Sequence, residues 1–438
     1  MKKILVLGSG LVAEPLIRYL LEQSDFRITV ASLNVDVAER IINRHPNGKA
    51  LYLDIRERDE LDKLVSENNI VISLLPFTHH TDIARLCIKN RRSMVTTSYV
   101  SEAIAELDSA ARDAGVVLLN EMGLDPGIDH MSAMRIIDDV SSRGGQIEHF
   151  RSYCGGLPAP EANDNPLGYK FSWSPRGVVM AGRNDSHYLE DGKEVFIAGK
   201  DLFRNCYMIN IPTIGRLEAY PNRNSVPYKE TYGIGDAKTM YRGTLRNVGW
   251  CETLRAIADM GYLDETKRSK IPGNTYADLT RLLIGASNSD LRTATAGFLE
   301  LSPDSKVMER LQWLGLFDNE VLPEEFDNAL DYLTAIMKNK MYYKENERDM
   351  IILYHDFRAG YPDGRKEHIN SSLIAFGIPG GDTAMSRTVS LPAAIGAKYI
   401  LEGSIKLTGV RIPVYPEIYI PVLDELENMG IRCKEKIN

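Results

Sequence analysis

The sequence predicts an α/β chain that opens with a doubly wound parallel sheet. Two observations carry this reading. Lys3-Ile-Leu-Val-Leu7 is an unbroken apolar run, as a parallel strand buried on both faces requires. Gly8-Ser-Gly10-Leu-Val-Ala13 follows at once and leads into a helical apolar pattern from Pro15 to Gln23. A strand, a G-x-G-x-x-[GA] turn and a helix in direct succession form the dinucleotide-binding fingerprint of the Rossmann fold. Gly8 permits the tight turn, Gly10 lets the backbone approach a pyrophosphate, and Ala13 lets the helix lie close on the strand. Ser9, Leu11 and Val12 complete the predicted cofactor turn. The helix start then offers N–H groups and the positive end of its dipole to the phosphates.

The second strand is Arg27–Ala31. NAD-specific sites carry Asp or Glu at the end of this strand to bond the ribose 2′-hydroxyl. Here the chain reads Ala31-Ser32-Leu33-Asn34. The missing carboxylate, which would repel a 2′-phosphate, favours NADP, with NAD as the alternative. Ser32 and Asn34 are the predicted partners of that phosphate, and Arg40 and Arg56 are candidates to approach it. Ala50–Leu53 is a third strand; Asp54 at its end either contacts the adenine ring or begins the next helix. Ile70–Leu75 is a fourth, closed by Pro76. Ser73, Leu74 and Leu75 fall at its carboxyl edge, where cofactors rest in open sheets. His79 and His80 are read as solvated or capping residues at a helix start. Met94–Ser98 is a fifth strand with Tyr99 just beyond it, and Val116–Leu119 is a sixth.

At 438 residues the chain exceeds one typical core, so two or three domains are expected. Hydrophobic residues at 44% and charged residues at 26% fit a soluble globular enzyme. A net charge of −8 without any Lys/Arg block argues against a nucleic-acid partner. The start MKKILVLGSG resembles a signal peptide only briefly, because Gly8 interrupts its apolar run. No apolar run approaches the ~18 residues of a membrane helix, so no membrane partner is expected. Cysteines at 87, 154, 206, 251 and 433 form no CxxC pair, so no metal is expected, and their odd count and wide spacing predict reduced thiols in a cytoplasmic protein.

The stretch from Tyr153 to Ser174 is rich in Gly, Pro and Asn, yet carries Tyr169, Phe171, Trp173, Cys154 and Lys170. A surface loop has no need of so many aromatics, and a buried element would not tolerate so much Gly and Pro. A long loop that keeps side chains fixed is a binding or active-site loop.

The segments NEMGLDPGIDH (120–130) and SYCGGLPAPEANDNPLGYKFSWSPRGV (152–178) resemble saccharopine dehydrogenase of the glutamate-forming type. VISLLPFTHH (71–80), VTTSYVS (95–101), EAYPNRNS (218–225), YRGTLRNVGW (241–250) and TAMSRTVSLPAAIGAKYIL (383–401) agree, so the resemblance spans nearly the whole chain. It implies a Rossmann domain over 1–125, a substrate-binding α/β domain with a mixed sheet over 126–260 and 336–390, a mostly helical insertion over 261–335, and a carboxyl-terminal segment, 391–438, that packs back on the first two. The sequence agrees with the insertion: apolar spacing turns helical after Gly261, including Tyr276–Ile284, and strand-like runs resume at Asp349–Tyr354. A helix is expected over 392–402, followed by a tail with Pro413, Pro416 and Pro421. One departure concerns the cofactor: relatives often place an Arg just after the second strand, where this chain has Leu33.

The implied reaction joins L-2-aminoadipate 6-semialdehyde to the amine of L-glutamate; the imine accepts hydride from NADPH and becomes saccharopine. The resemblance assigns Tyr99, Asp125 and Cys154 to the reacting centre. Read by residue type alone, Tyr99 is a packing tyrosine, Asp125 a turn residue before Pro126-Gly127, and Cys154, at the end of an expected strand Ile147–Tyr153, a small buried hydrophobe. Saccharopine carries three carboxylates, which suit a bidentate guanidinium. Arg223 is the first candidate, with backbone N–H groups of Gly155 and Gly156, hydroxyls of Ser174 and Thr244, and a wall from Phe171 and Trp173. A homodimer is expected from the sheet-containing second domain. Three rival readings differ in the residues they need. A carboxynorspermidine-type polyamine reductase would need acidic pocket residues where Arg223 and Gly155–Gly156 point to carboxylates. A silent NADP-binding sensor would lack Tyr99, Asp125 or Arg223. A hydroxy-acid dehydrogenase would need a His–Asp pair in the second half.

Overall fold

The computed structural model describes residues 1–268, 274–287 and 290–437. The expected helical region 261–335 includes 269–273 and 288–289, and the expected segment 391–438 ends on 438; these positions lie outside the described residues. The chain divides into two units, 1–147 with 359–438, and 148–358.

In the first unit the apolar runs become β1 (Lys2–Leu7), β2 (Phe26–Ser32), β3 (Gly48–Tyr52), β4 (Ile70–Ser73), β5 (Ser93–Thr96) and β6 (Val117–Leu119). They alternate with α1 (Ala13–Leu21), α2 (Val35–Ile42), α3 (Arg58–Glu67), α4 (His80–Lys89), and the short α5 (Glu102–Ala105) and α6 (Asp108–Asp113). The sheet order is β6-β5-β4-β1-β2-β3, all parallel. Ile4 to Leu7 and Ile70 to Ile72 are fully buried, which is why neither run alternates with polar residues. β1 lies between β2 and β4, with Leu7 opposite Ala31 on one side and Ser73 on the other. The strand order reverses between β1 and β4, so their carboxyl ends flank the switch point where ligands of open α/β sheets rest. α7 (Ile128–Ser142) follows the segment 120–127.

Within β7 (Gln146–Pro158) the chain passes into the second unit. β7 runs beyond the expected end at Tyr153, so Cys154 and the two glycines lie inside the strand. A Cβ on Gly155 would come within 2.8 Å of the Leu245 Cβ, and this close approach of neighbouring strands is why glycine reads there as strand rather than loop. The unit continues with α8 (Pro175–Ala181), β8 (Ser186–Glu190), β9 (Lys193–Ile197), β10 (Tyr207–Ile211), β11 (Gly215–Pro221), α9 (Tyr228–Thr231), β12 (Thr239–Arg246) and α10 (Trp250–Asp259). Its sheet is mixed. β12 runs parallel to β7, from Thr239 opposite His149 to Thr244 opposite Cys154, while β10 and β11, β11 and β12, and β8 and β9 pair antiparallel. The predicted helical region becomes α11 (Tyr276–Ile284), α12 (Leu291–Phe298), α13 (Lys306–Leu314) and α14 (Ala329–Lys340). Thr275 and Asp278 close a capping box at the start of α11. β13 (Asp349–Gly360) leads out of the unit.

The remainder belongs to the first unit: β14 (Lys366–Phe376), α15 (Ala384–Glu402), β15 (Gly409–Arg411), α16 (Pro416–Asn428) and β16 (Lys434–Ile437). β15 pairs parallel with β6, Gly409 opposite Val117, and makes the first sheet seven-stranded. β16 pairs antiparallel with β14. α15 starts earlier than the expected 392, at the Thr383 cap, whose hydroxyl accepts from Ser386 N, and carries Pro392 inside it. Pro416 opens α16, where its missing N–H costs nothing. α15 packs on α1, and α16 on α7.

Candidate active site

The glycine turn after β1 is tied to the ends of β2 and β4. Gly8 has φ +102°, and a Cβ there would lie 3.4 Å from the Leu74 carbonyl oxygen and 3.5 Å from Leu75 Cδ2, so Gly8, Leu74 and Leu75 meet. The Ser9 hydroxyl donates to Ser32 Oγ at 2.9 Å, with the Asn34 carbonyl as a second acceptor at 3.2 Å; Asn34 N donates to Ser32 Oγ at 3.1 Å. Ser9, Ser32 and Asn34 therefore form one cluster. A Cβ on Gly10 would meet nothing within 4 Å. Ala13 N donates to Gly10 O, and no side chain caps α1 at Val12. Open space above Gly10 beside an uncapped helix start fits a pyrophosphate. Leu11 and Leu33 are 69% and 62% exposed.

Asp54 accepts from Arg56 Nε at 2.9 Å and from Arg56 N at 3.0 Å, four residues ahead of the first residue of α3. The Arg56 side chain holds the Asp54 carboxyl down to about 2. Arg40 is exposed on α2. Ser73 is fully buried, and its hydroxyl meets His80 Nδ1 at 3.1 Å. The reading of His80 as solvated or capping is corrected here: it is 3% exposed, and its Nε2 lies 3.0 Å from both Thr96 Oγ1 and Ser98 Oγ. The turn into α4 points this ring inward, under the ends of β4 and β5. Burial lowers its pKa to about 4, so it is neutral at pH 7. His79 is half-buried.

Tyr99 and Asp125 come together. The Tyr99 hydroxyl donates to Asp125 Oδ1 at 3.0 Å, and both residues are half-buried. The segment 120–130 is held by its own acids. Glu121, buried, accepts from Val100 N at 3.0 Å through Oε1 and meets His130 Nε2 at 2.7 Å through Oε2. The turn N–H of Gly127 goes to Asp129 Oδ1 at 2.6 Å. Gly127 has φ +145°, and a Cβ there would collide with the Gly123 backbone at 2.0 Å, so only glycine closes this turn.

In the second unit Cys154 on β7 sits opposite Thr244 on β12, which sits opposite Tyr220 on β11. Beside them lies Arg246, which the sequence reading did not single out. It is 5% exposed, with its guanidinium 4.9 Å from the Tyr169 ring, 5.4 Å from Trp250 and 6.0 Å from Tyr220. Nη1 donates to Leu245 O at 2.8 Å. Three ring faces stand where a carboxylate partner usually does.

The loop after β7 is pinned from inside. Lys170, 3% exposed at its side chain, bridges Asp164 Oδ1 at 2.8 Å and Glu347 Oε2 at 2.6 Å. Phe171 lies edge-on to Tyr169 at 5.4 Å, and its N–H donates to Met341 O at 2.9 Å. Ser174 caps α8, its hydroxyl accepting from Gly177 N at 3.1 Å. Trp173 shields that first turn: a Cβ on Gly177 would lie 2.7 Å from its ring. Gly155 is buried and Gly156 half-buried. Arg223 is exposed in the turn after β11, at φ +55°, and its carbonyl accepts from His187 N at 2.9 Å.

Residues 4–119 match the family described as the saccharopine dehydrogenase NADP binding domain, and 123–431 match the saccharopine dehydrogenase C-terminal domain. The chain is 40% identical to saccharopine dehydrogenase (NADP(+), L-glutamate-forming) of Schizosaccharomyces pombe, over 100% of this chain and 99% of that protein. It is 38% identical to the mitochondrial alpha-aminoadipic semialdehyde synthase of Bos taurus, over 98% of this chain and 47% of that longer protein. The solved structure of apo histidine-tagged saccharopine dehydrogenase (L-Glu forming) from Saccharomyces cerevisiae shares 38% identity and superposes with a TM-score of 0.90 over 100% of both chains. Among the described residues no helix is long and apolar enough to cross a membrane. A match that runs from the first strand to the last helix, in sequence and in fold alike, leaves one assignment: the chain belongs to the saccharopine dehydrogenase family.

Proposed function

We propose that this chain is an NADP-dependent oxidoreductase of lysine metabolism that interconverts saccharopine and water with L-2-aminoadipate 6-semialdehyde and L-glutamate. The observation that carries the reading is end-to-end identity of 40% with an enzyme named as glutamate-forming. NADP, when bound, would supply the hydride acceptor for the carbon of the secondary amine. The amine nitrogen gives up its proton, water adds to the resulting imine, and the C–N bond breaks to release the glutamate amine.

In this reading Gly8, Ser9, Gly10, Leu11 and Val12 cradle the pyrophosphate, and Ser32 and Asn34 hold the 2′-phosphate. Leu74 and Leu75 line the nicotinamide side. Ser73 acts through its backbone, because its hydroxyl is committed to His80. Tyr99 and Asp125 hold and move the proton at the substrate nitrogen, their mutual hydrogen bond fixing the two side chains relative to each other. Arg223 holds a substrate carboxylate, aided by Gly155, Gly156, Ser174 and Thr244; Cys154 and Phe171 shape the surroundings and keep water out. The working form is a cytoplasmic homodimer, checked by light scattering, where a monomer mass at working concentration overturns it.

The test is absorbance at the reduced-nicotinamide band with purified protein, saccharopine, and NADP or NAD in parallel. Saccharopine-dependent reduction of NADP, faster than of NAD and lost in Arg223→Ala, is expected. No turnover by folded protein that binds dinucleotide would sink the assignment.

A further inference from the structure

Three side chains that take no part in the proposed reaction converge in the second unit. Cys206 joins the short turn Gly199–Asn205 to β10, Glu218 lies on β11, and Cys251 stands in the first turn of α10. Their ligand atoms all lie within 4.8 Å of one another. Glu218 and Cys251 are buried and Cys206 is half-buried. All three face one cavity of about 210 Å³, which Phe203, Tyr207 and Met208 also line.

We propose that Cys206, Glu218 and Cys251 form a binding site for one thiophilic divalent cation of the zinc class. Two sulfurs and one carboxylate are a borderline-soft donor set that suits zinc and excludes calcium or magnesium. Zinc–sulfur bonds of about 2.3 Å and zinc–oxygen bonds of about 2.0–2.2 Å put tetrahedral ligand atoms roughly 3.5–3.8 Å apart. Atoms already within 4.8 Å reach that spacing by small side-chain rotations. The fourth position faces the cavity.

The carboxylate is held in place by the protein itself. Glu218 Oε1 accepts from Gly249 N, and Oε2 from Cys251 N, both at 2.8 Å, and each oxygen keeps a second lone pair. Such outer hydrogen bonds orient metal-binding carboxylates. The other charges around the cavity are directed elsewhere: Arg204 to Asp259 at 2.7 Å, Arg255 to Asp259 at 3.6 Å, and Glu252 to Arg310. Binding exchanges two S–H bonds for two metal–sulfur bonds and releases two protons to solvent, with no change of oxidation state. The bound cation cross-links β10, β11 and α10.

The test uses the full-length chain, reduced and stripped with a chelator, then titrated with cobalt(II). Thiolate-to-cobalt charge-transfer absorption and tetrahedral visible bands saturating at one equivalent per chain, and displaced by zinc, are expected. Cys206→Ser and Cys251→Ser each abolish them, and zinc raises the Tm of the unsubstituted chain but not of Cys206→Ser. The half-buried Cys206 carries the test if Cys251→Ser does not fold. Absence of the bands, or their persistence in Cys206→Ser, overturns the site. So does a Cys206–Cys251 disulfide found by mass spectrometry under the same reducing conditions.

Discussion

The Tyr99 hydroxyl donates to Asp125 Oδ1 at 3.0 Å, so the residue just beyond β5 is locked to the Asp-Pro-Gly turn that follows β6. The backbone of that turn is satisfied by Asp129, and its neighbour Glu121 anchors Val100 next to Tyr99. The pair sits on a frame that its own hydrogen bond does not have to build.

Tyr99→Phe and Asp125→Asn are therefore expected to leave Tm nearly unchanged and to lower kcat. A positioned proton-transfer group contributes about 10²- to 10⁴-fold in rate, so a loss of that order is expected for each. The double variant is expected to lose little more than either single one, as partners in one interaction do. Additive losses in steady-state kinetics would separate their roles.

Gly10→Val tests the cofactor turn. A Cβ there meets nothing within 4 Å in the protein alone, and the added side chain occupies the space read as belonging to the pyrophosphate. Tm without cofactor is expected to hold within about 1 °C, while a substitution elsewhere of about 1 kcal/mol would shift it by a few degrees. The KM for NADP is expected to rise at least tenfold. Unchanged KM would move the dinucleotide away from this turn.

His80 makes stability depend on acid. In the folded chain it stays neutral down to about 4, whereas an unfolded histidine takes up its proton near about 6.5. Between those values the unfolded chain binds more protons, so stability falls as pH drops through this window, by about 3 kcal/mol in total from this group. Urea unfolding across that range is expected to show the fall, reduced by a comparable amount in His80→Asn. An identical pH slope in the variant would assign the effect to other groups.

Lys170→Met tests the loop. It removes the cation that Asp164 and Glu347 share and leaves the buried methylenes. Glu347 is only 17% exposed at its side chain, so a loss of about 2–3 kcal/mol is expected in chemical denaturation. Faster proteolysis between 158 and 174 is expected alongside it. A stability within 0.5 kcal/mol of the unsubstituted chain, roughly the scatter of surface changes, would mean the pair is solvated.

What the sequence determined by itself is local. Lys3–Leu7 followed by Gly8-x-Gly10 specifies strand, turn and helix within about twenty residues, because burial on both faces and the close approach to phosphate each demand particular residue types at adjacent positions. The end of β2, Ala31-Ser32-Leu33-Asn34, likewise shows in the sequence that the carboxylate of an NAD site is missing, and the motifs over 120–130 and 152–178 carried the family. What only the tertiary structure decided is contact between distant residues. β15 is three residues long and has no periodicity to read; it exists because β6 offers it an open edge. His80 reads as a helix-start residue until β4 and β5 close over it. Arg246 reads as a strand arginine until Tyr169, Tyr220 and Trp250 surround it. Cys206, Glu218 and Cys251 share no spacing motif, since they meet only when β11 lies beside β10 and the start of α10 turns back onto both. Pattern records which face of an element is buried, and strand pairing then selects the residues that meet across it.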